Sequence, residues 1–142
     1  MVPFDTLLLL GDKIIDLTGT ITGTRVTQEA TGPRVEVSVQ GTSNYLGIEM
    51  SELATYTSTM LPTGVLLGEG QGVAMGVEGD AVSWQGAGVG RPTGKGLESS
   101  WRYAITFQTQ SPRLARLNSV VGVGEWETDE QGNGKAEIWE WK

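Results

Sequence analysis

The sequence predicts an all-β domain, a single eight-stranded antiparallel up-and-down barrel with one short helical turn. Three observations predict it. Apolar and polar residues alternate with period two through most of the chain, the pattern of half-buried strands. Gly, Pro, Asn and Asp break that pattern at short intervals, as hairpin turns do. Glycines also stack inside two successive strands, where their cost in stability is offset by strong coiling or by the close approach of a bulky group.

The strands are expected at 15–28, 34–41, 45–60, 65–77, 81–91, 97–109, 119–129 and 135–141. The first ends at Thr31-Gly32-Pro33, whose residues preset a turn. In the second, Val35, Val37 and Val39 point one way and Arg34, Glu36, Ser38 and Gln40 the other. The third places Glu49 and Glu52 on opposite faces and ends at Leu61-Pro62-Thr63-Gly64. The fourth carries Gly68, Gly70, Gly72 and Gly76 on one face with Glu69 and Gln71 on the other, and ends at Glu78-Gly79-Asp80. The fifth repeats the device with Gly86, Gly88 and Gly90, before the turn Pro92-Thr93-Gly94-Lys95-Gly96.

The sixth strand sets Trp101, Tyr103, Ile105 and Phe107 against Arg102, Ala104, Thr106 and Gln108. After it, Ser111-Pro112 supplies a cap residue and a proline at a first helical position. The turn they open puts Leu114 and Leu117 on one face to plug a barrel end, with Arg113 and Arg116 left in water. The seventh strand aligns Glu125 with Glu127, and Gln131-Gly132-Asn133-Gly134 leads into the eighth, where Glu137, Trp139 and Trp141 share a face. All these hairpin connections are too short for crossover helices, so neighbouring strands pair antiparallel. Closure into a barrel removes exposed edges.

At 142 residues the chain is one domain's length. Its net charge of -7 and the scattering of six Arg and four Lys weigh against nucleic acid, which needs clustered cations, and against an anionic membrane surface. Without Cys or His, the chain lacks thiolate chemistry, the usual zinc ligands and a Ser-His-acid triad. The apolar run 7–10 is far shorter than a membrane span, and Asp5 and Asp12 flank it, so a cytoplasmic location is the default expectation.

The glycine-rich hairpin at 68–72 and 86–90, the segment Leu114-Ala115-Arg116-Leu117-Asn118 and the ending Ile138-Trp139-Glu140-Trp141-Lys142 resemble a group of small uncharacterised prokaryotic proteins related to the allene oxide cyclase-like barrels. The resemblance covers most of the chain as strand order and turn spacing. It implies an eight-stranded barrel that is homo-oligomeric, with a cavity for a hydrophobic small molecule whose cyclisation or isomerisation is steered without a cofactor. It transfers no catalytic residue.

An eight-stranded barrel is just wide enough to be filled by side chains or to hold one small ligand, so the inward polar residues matter most. Glu69 is the candidate acid or base and Tyr56 a phenol to offer an oxyanion. Glu36, Gln71, Arg102 and Glu125 are candidate polar ligand contacts, and Trp84, Trp101, Tyr103 and Trp126 the aromatic lining. The competing reading puts Glu69, Glu36 and Glu125 in water and makes Arg102 half of a surface ion pair. No metal site is expected. A second account of the chain is a structural homo-oligomer with a packed interior, its subunit contacts made at 65–67 and 119–123.

Overall fold

The computed structural model describes residues 9–142. Eight strands follow one another around a closed barrel: β1 (Leu10–Glu29), β2 (Gly32–Tyr45), β3 (Ile48–Met60), β4 (Leu66–Met75), β5 (Ala81–Pro92), β6 (Ser99–Thr109), β7 (Val121–Thr128) and β8 (Asn133–Trp141). Each pairs antiparallel with the next, and β8 closes on β1. The predicted topology holds throughout. Leu7 and Leu8 of the apolar run at 7–10 lie outside the described residues.

Several local features differ from the sequence reading. The strand expected to stop at Gly41 runs on to Tyr45, and the turn sits at Leu46-Gly47. Both residues take positive φ, 51° and 92°. Two positive-φ residues match the right-handed twist of the flanking strands. A side chain supplies what Asn-Gly chemistry would have signalled, since Asn44 Oδ1 accepts the Gly47 amide at 2.8 Å. Inside β1, register shifts near Lys13 and at Thr22 break the alternation, so that Ile14 and Ile15 are both buried. Residue 119 belongs to the helical turn instead of β7.

That turn is a 3-10 helix, Pro112–Ser119, lying across one end of the barrel. Leu114 and Leu117 are fully buried there against Ile14, Ile15, Phe107, Val120 and Ile138, as the spacing predicted. Its two arginines are tied down. Arg113 pairs with Asp80 and Glu78 on the β4–β5 turn, and Arg116 reaches Glu140 at 2.5 Å and Asp12 at 3.6 Å. Ser111 does not cap the helix with its hydroxyl, which accepts the Ala81 amide at 3.2 Å.

A second core cluster fills the other half of the barrel, built on Val37, Val39, Trp101, Trp126 and Ala136. Among the described residues no helix covers that end, which is rimmed by the four hairpin turns after β1, β3, β5 and β7. Among the described residues, no helix is long and apolar enough to cross a membrane.

Candidate functional site

The site is made by glycines on one wall and aromatics on the others. The inward face of β4 is Gly68, Gly70 and Gly72, and that of β5 is Gly86, Gly88 and Gly90, in register as Gly68↔Gly88 and Gly70↔Gly86. This bare wall leaves space that large rings occupy. A Cβ at Gly72 would stand 2.5 Å from the Trp84 indole, and one at Gly68 would stand 2.8 Å from that of Trp101. Similarly, Tyr103 lies over Gly124 and Trp126 over Gly134. Any larger residue at these seats would push an aromatic into the barrel axis.

The rings do not fill the volume. A cavity of about 100 Å³ remains in the barrel interior, walled by Trp84, Trp101, Trp126, Tyr56, Tyr103 and the facing glycines. Leu17, Val39, Ala54 and Ala136 complete an almost wholly apolar lining. Trp101 stacks edge-on to Tyr56, with ring centroids 5.6 Å apart at 68°. Tyr56 supplies a polar handle in this apolar space. Its hydroxyl accepts the Trp126 Nε1 hydrogen at 3.4 Å, and among the described residues its own proton is not donated to any group. Burial pushes the pKa of Tyr56 up, so it stays a neutral donor across the physiological range.

Beneath the cavity sits a buried carboxyl. Glu52 on β3 is 2 % exposed. It accepts the Tyr45 hydroxyl at one oxygen and the Trp84 Nε1 hydrogen at the other, the latter at 3.3 Å. Desolvation raises its pKa, while the hydrogen bonds from Tyr45 and Trp84 and the nearby Ser43 hydroxyl pull the other way. Ser43 itself is buried and closes no hydrogen bond. Tyr45 and Tyr103 are both raised, first by their own burial and next by the negative charge of Glu52. Glu52 is not part of the cavity wall; it fixes the indole that is. Its chemistry is therefore positional.

The structure divides the predicted site residues cleanly. It brings Tyr56, Trp84, Trp101, Tyr103 and Trp126 together around one cavity. The polar set lies outside. Gly68 and Gly70 take the inward positions of β4, so Glu69 and Gln71 are exposed on the outer wall, which corrects the acid-base placement of Glu69. Glu69 still stands among the residues that border the cavity, with its side chain exposed. Glu36 alternates with inward valines and pairs with Arg25 at 2.8 Å. Arg102 and Glu125 form an outer-face group, Arg102 reaching Glu125 at 3.4 Å and Glu127 at 2.7 Å. The residue the sequence reading passed over is Glu52. Its signal was present: Glu49 and Glu52 had to face opposite ways, and Glu52 shares parity with Met50, Ala54 and Tyr56.

With the geometry in hand, comparison with known proteins adds a fold. No family model matches the chain, and no curated protein does. Solved structures do. The chain shares its fold with barrels of unknown function. One, a protein with unknown function from Clostridium acetobutylicum, superposes with a TM-score of 0.77 at 15% identity over 92% of this chain and 98% of that one. A conserved protein of unknown function from Rhodopseudomonas palustris gives 0.77 at 15% identity, covering 92% and 97%. A β-barrel-like protein from Acinetobacter baumannii gives 0.76 at 15% identity, covering 94% and 95%. Identity at this level speaks for the barrel alone.

Proposed function

We propose that this barrel binds a small, uncharged, apolar molecule in the aromatic cavity between Trp84 and the Trp101–Trp126 layer. The observation that carries the reading is the empty apolar volume of about 100 Å³ kept open by glycines that seat the surrounding rings. Small apolar cavities stay dry and take apolar guests, a void of about 150 Å³ being enough for benzene. The volume here suits a five-membered ring or a branched fragment of similar size, or the head of a longer molecule whose tail leaves by the end without a helix. Tyr56 would donate its free proton to an acceptor on that head. A charged guest is disfavoured, because the almost wholly apolar lining does little to offset its desolvation.

The resemblance to allene oxide cyclase-like barrels extends this reading to an isomerase or cyclase that works by shape. The lining supports conformational steering by aromatic walls. Acid-base catalysis has less support, since the Glu52 carboxyl is bonded to Trp84 outside the cavity wall and Glu69 is exposed on the outer wall.

The indole Nε1 signals of the five Trp residues test the binding directly. Titration with cyclopentanone and with methylcyclopentane should shift Trp84, Trp101 and Trp126 and leave Trp139 and Trp141 in place. Tyr56→Phe should weaken the ketone about five- to tenfold, the loss of one hydrogen bond, and leave the hydrocarbon unaffected. Shifts confined to Trp139 and Trp141, or none, would contradict the assignment.

A further inference from the structure

We infer that the outer wall of β2 to β6 is the face by which two copies of this chain associate about a two-fold axis. Its middle row runs, in register across five strands, Gln40, Leu53, Val73, Ser83 and Gln108. The row on one side, from Ser38 to Thr106, is made of Ser, Thr and Gln. The row on the other, from Thr42 to Ala81, is made of Thr, Ser, Met and Ala. None of the three rows contains a charge, in a chain that is 19% charged.

At the centre, Leu53, Val73 and Met75 are adjacent and stand 46%, 41% and 48% exposed. The opposite wall has the reverse character. There Lys13, Asp16, Lys135 and Glu137 form one ion-pair group on β1 and β8, and Glu125 and Glu127 of β7 form another with Arg102, which lies on β6 four residues from Thr106 and outside the three rows.

Exposed strands ordinarily carry charges that keep them solvated and unpaired. Loss of charge around an apolar centre is the compositional mark of an interface core. The wall is also hollowed into a groove of about 1860 Å³, larger than clefts built for small ligands.

The chain's own charge chooses the occupant. Two bodies of net charge -7 repel, and across a two-fold axis every residue near the axis faces its own copy. Any charge there would oppose itself, so a self-associating face has to be neutral. A basic partner, by contrast, would be met by an acidic centre. Acidic groups occur at the margins of this wall, at Glu36, Glu49 and Glu69 on the strands and at Glu78 and Asp80 of the β4–β5 turn, where both pair with Arg113.

Sedimentation velocity of the full chain over a range of concentrations tests the inference. The wild type should move from monomer to dimer as concentration rises. Raising salt to about 0.15 M, where the Debye length is about 8 Å, should tighten the dimer by screening the repulsion between copies. Val73→Glu and, separately, Met75→Glu should weaken dimerisation by about a hundredfold or more through like-charge opposition. Val26→Glu, the same change at an exposed site on the β1–β2 hairpin, should leave it unchanged, with all three variants keeping the wild-type circular dichroism spectrum. A wild type that stays monomeric at every concentration, a dimer that salt dissociates, or folded Val73→Glu and Met75→Glu variants that dimerise normally would overturn it. The inference is independent of the ligand reading, and titration of the cavity in monomeric Val73→Glu separates the two.

Discussion

The two ends of the barrel are built from the same strands and do opposite things. At one end the 3-10 helix drives Leu114 and Leu117 into a core of Ile14, Ile15, Phe107 and Val120, and close packing leaves the helix nothing to do but seal. At the other end the interior residues are either much larger or much smaller. Indoles and phenols face glycines, and shapes so unequal leave a void. The comparison teaches that glycine in this barrel is a spacing device. It sets where a ring can lie, and the remaining volume is what a guest can use.

The largest expected effect contrasts leucines at the two ends. Leu117→Ala, cut from the sealed end, should cost about 2–5 kcal/mol in urea denaturation, because the packed surroundings cannot collapse onto the gap. Leu17→Ala, which borders an existing void and is only half-buried, should cost clearly less. Equal losses would mean that the second end is packed as tightly as the first.

Gly72→Ala comes next. Its methyl would press on the Trp84 ring, and overpacking of this kind costs about 1–3 kcal/mol. The Trp84 Nε1 signal should move as its bond to Glu52 is broken, whereas Gly79→Ala, at a turn whose φ is +94°, should destabilise by backbone strain without moving Trp84.

Glu52 predicts a smaller, pH-dependent effect. A carboxyl whose pKa is higher in the folded than in the unfolded chain binds its proton more tightly when folded. Its contribution is therefore fully present below the ordinary value of 4.5 and is lost as pH rises through the raised folded value. Each unit of separation is worth about 1.4 kcal/mol. Stability measured by denaturation from pH 4 upward should thus fall more steeply for the wild type than for Glu52→Gln, which lacks the titration. Parallel curves would show that Glu52 is not desolvated.

The smallest effect belongs to the sealing helix. Hydrogen bonding from Arg113 holds Asp80 below its ordinary range, so the pair stabilises at neutral pH and fails as acid reaches that lowered value. Asp80→Asn should flatten the acid limb of the stability curve and leave the cavity's ligand shifts unaltered. Altered shifts would show that the two ends are coupled.

The sequence carried the strand order, the antiparallel meander and the helical plug because period-two alternation, turn chemistry and the Ser-Pro start are all local signals. It also marked the aromatics of the site, since Trp84, Trp101 and Trp126 were the bulk that stacked glycines called for. What it could not carry was the choice of face. Parity in β4 separates Gly68, Gly70 and Gly72 from Glu69 and Gln71 without saying which set is inside. Only the rings arriving from β5 and β6 decide that, and those are contacts across strands. In β1 the register shifts defeat parity altogether, which is how Ile14 and Ile15 are both buried. The turn at Leu46-Gly47 was missed because Asn44, two residues before it, acts through its side chain.

Xenon under pressure, located crystallographically, addresses the central claim most directly, since xenon enters dry apolar cavities and avoids packed or hydrated ones. In the wild type a xenon atom should lie between Trp84, Trp101, Trp126 and the glycine wall, and Ala54→Leu, which fills that space, should exclude it. Ordered water at the site, or no xenon in the wild-type barrel, would contradict the account.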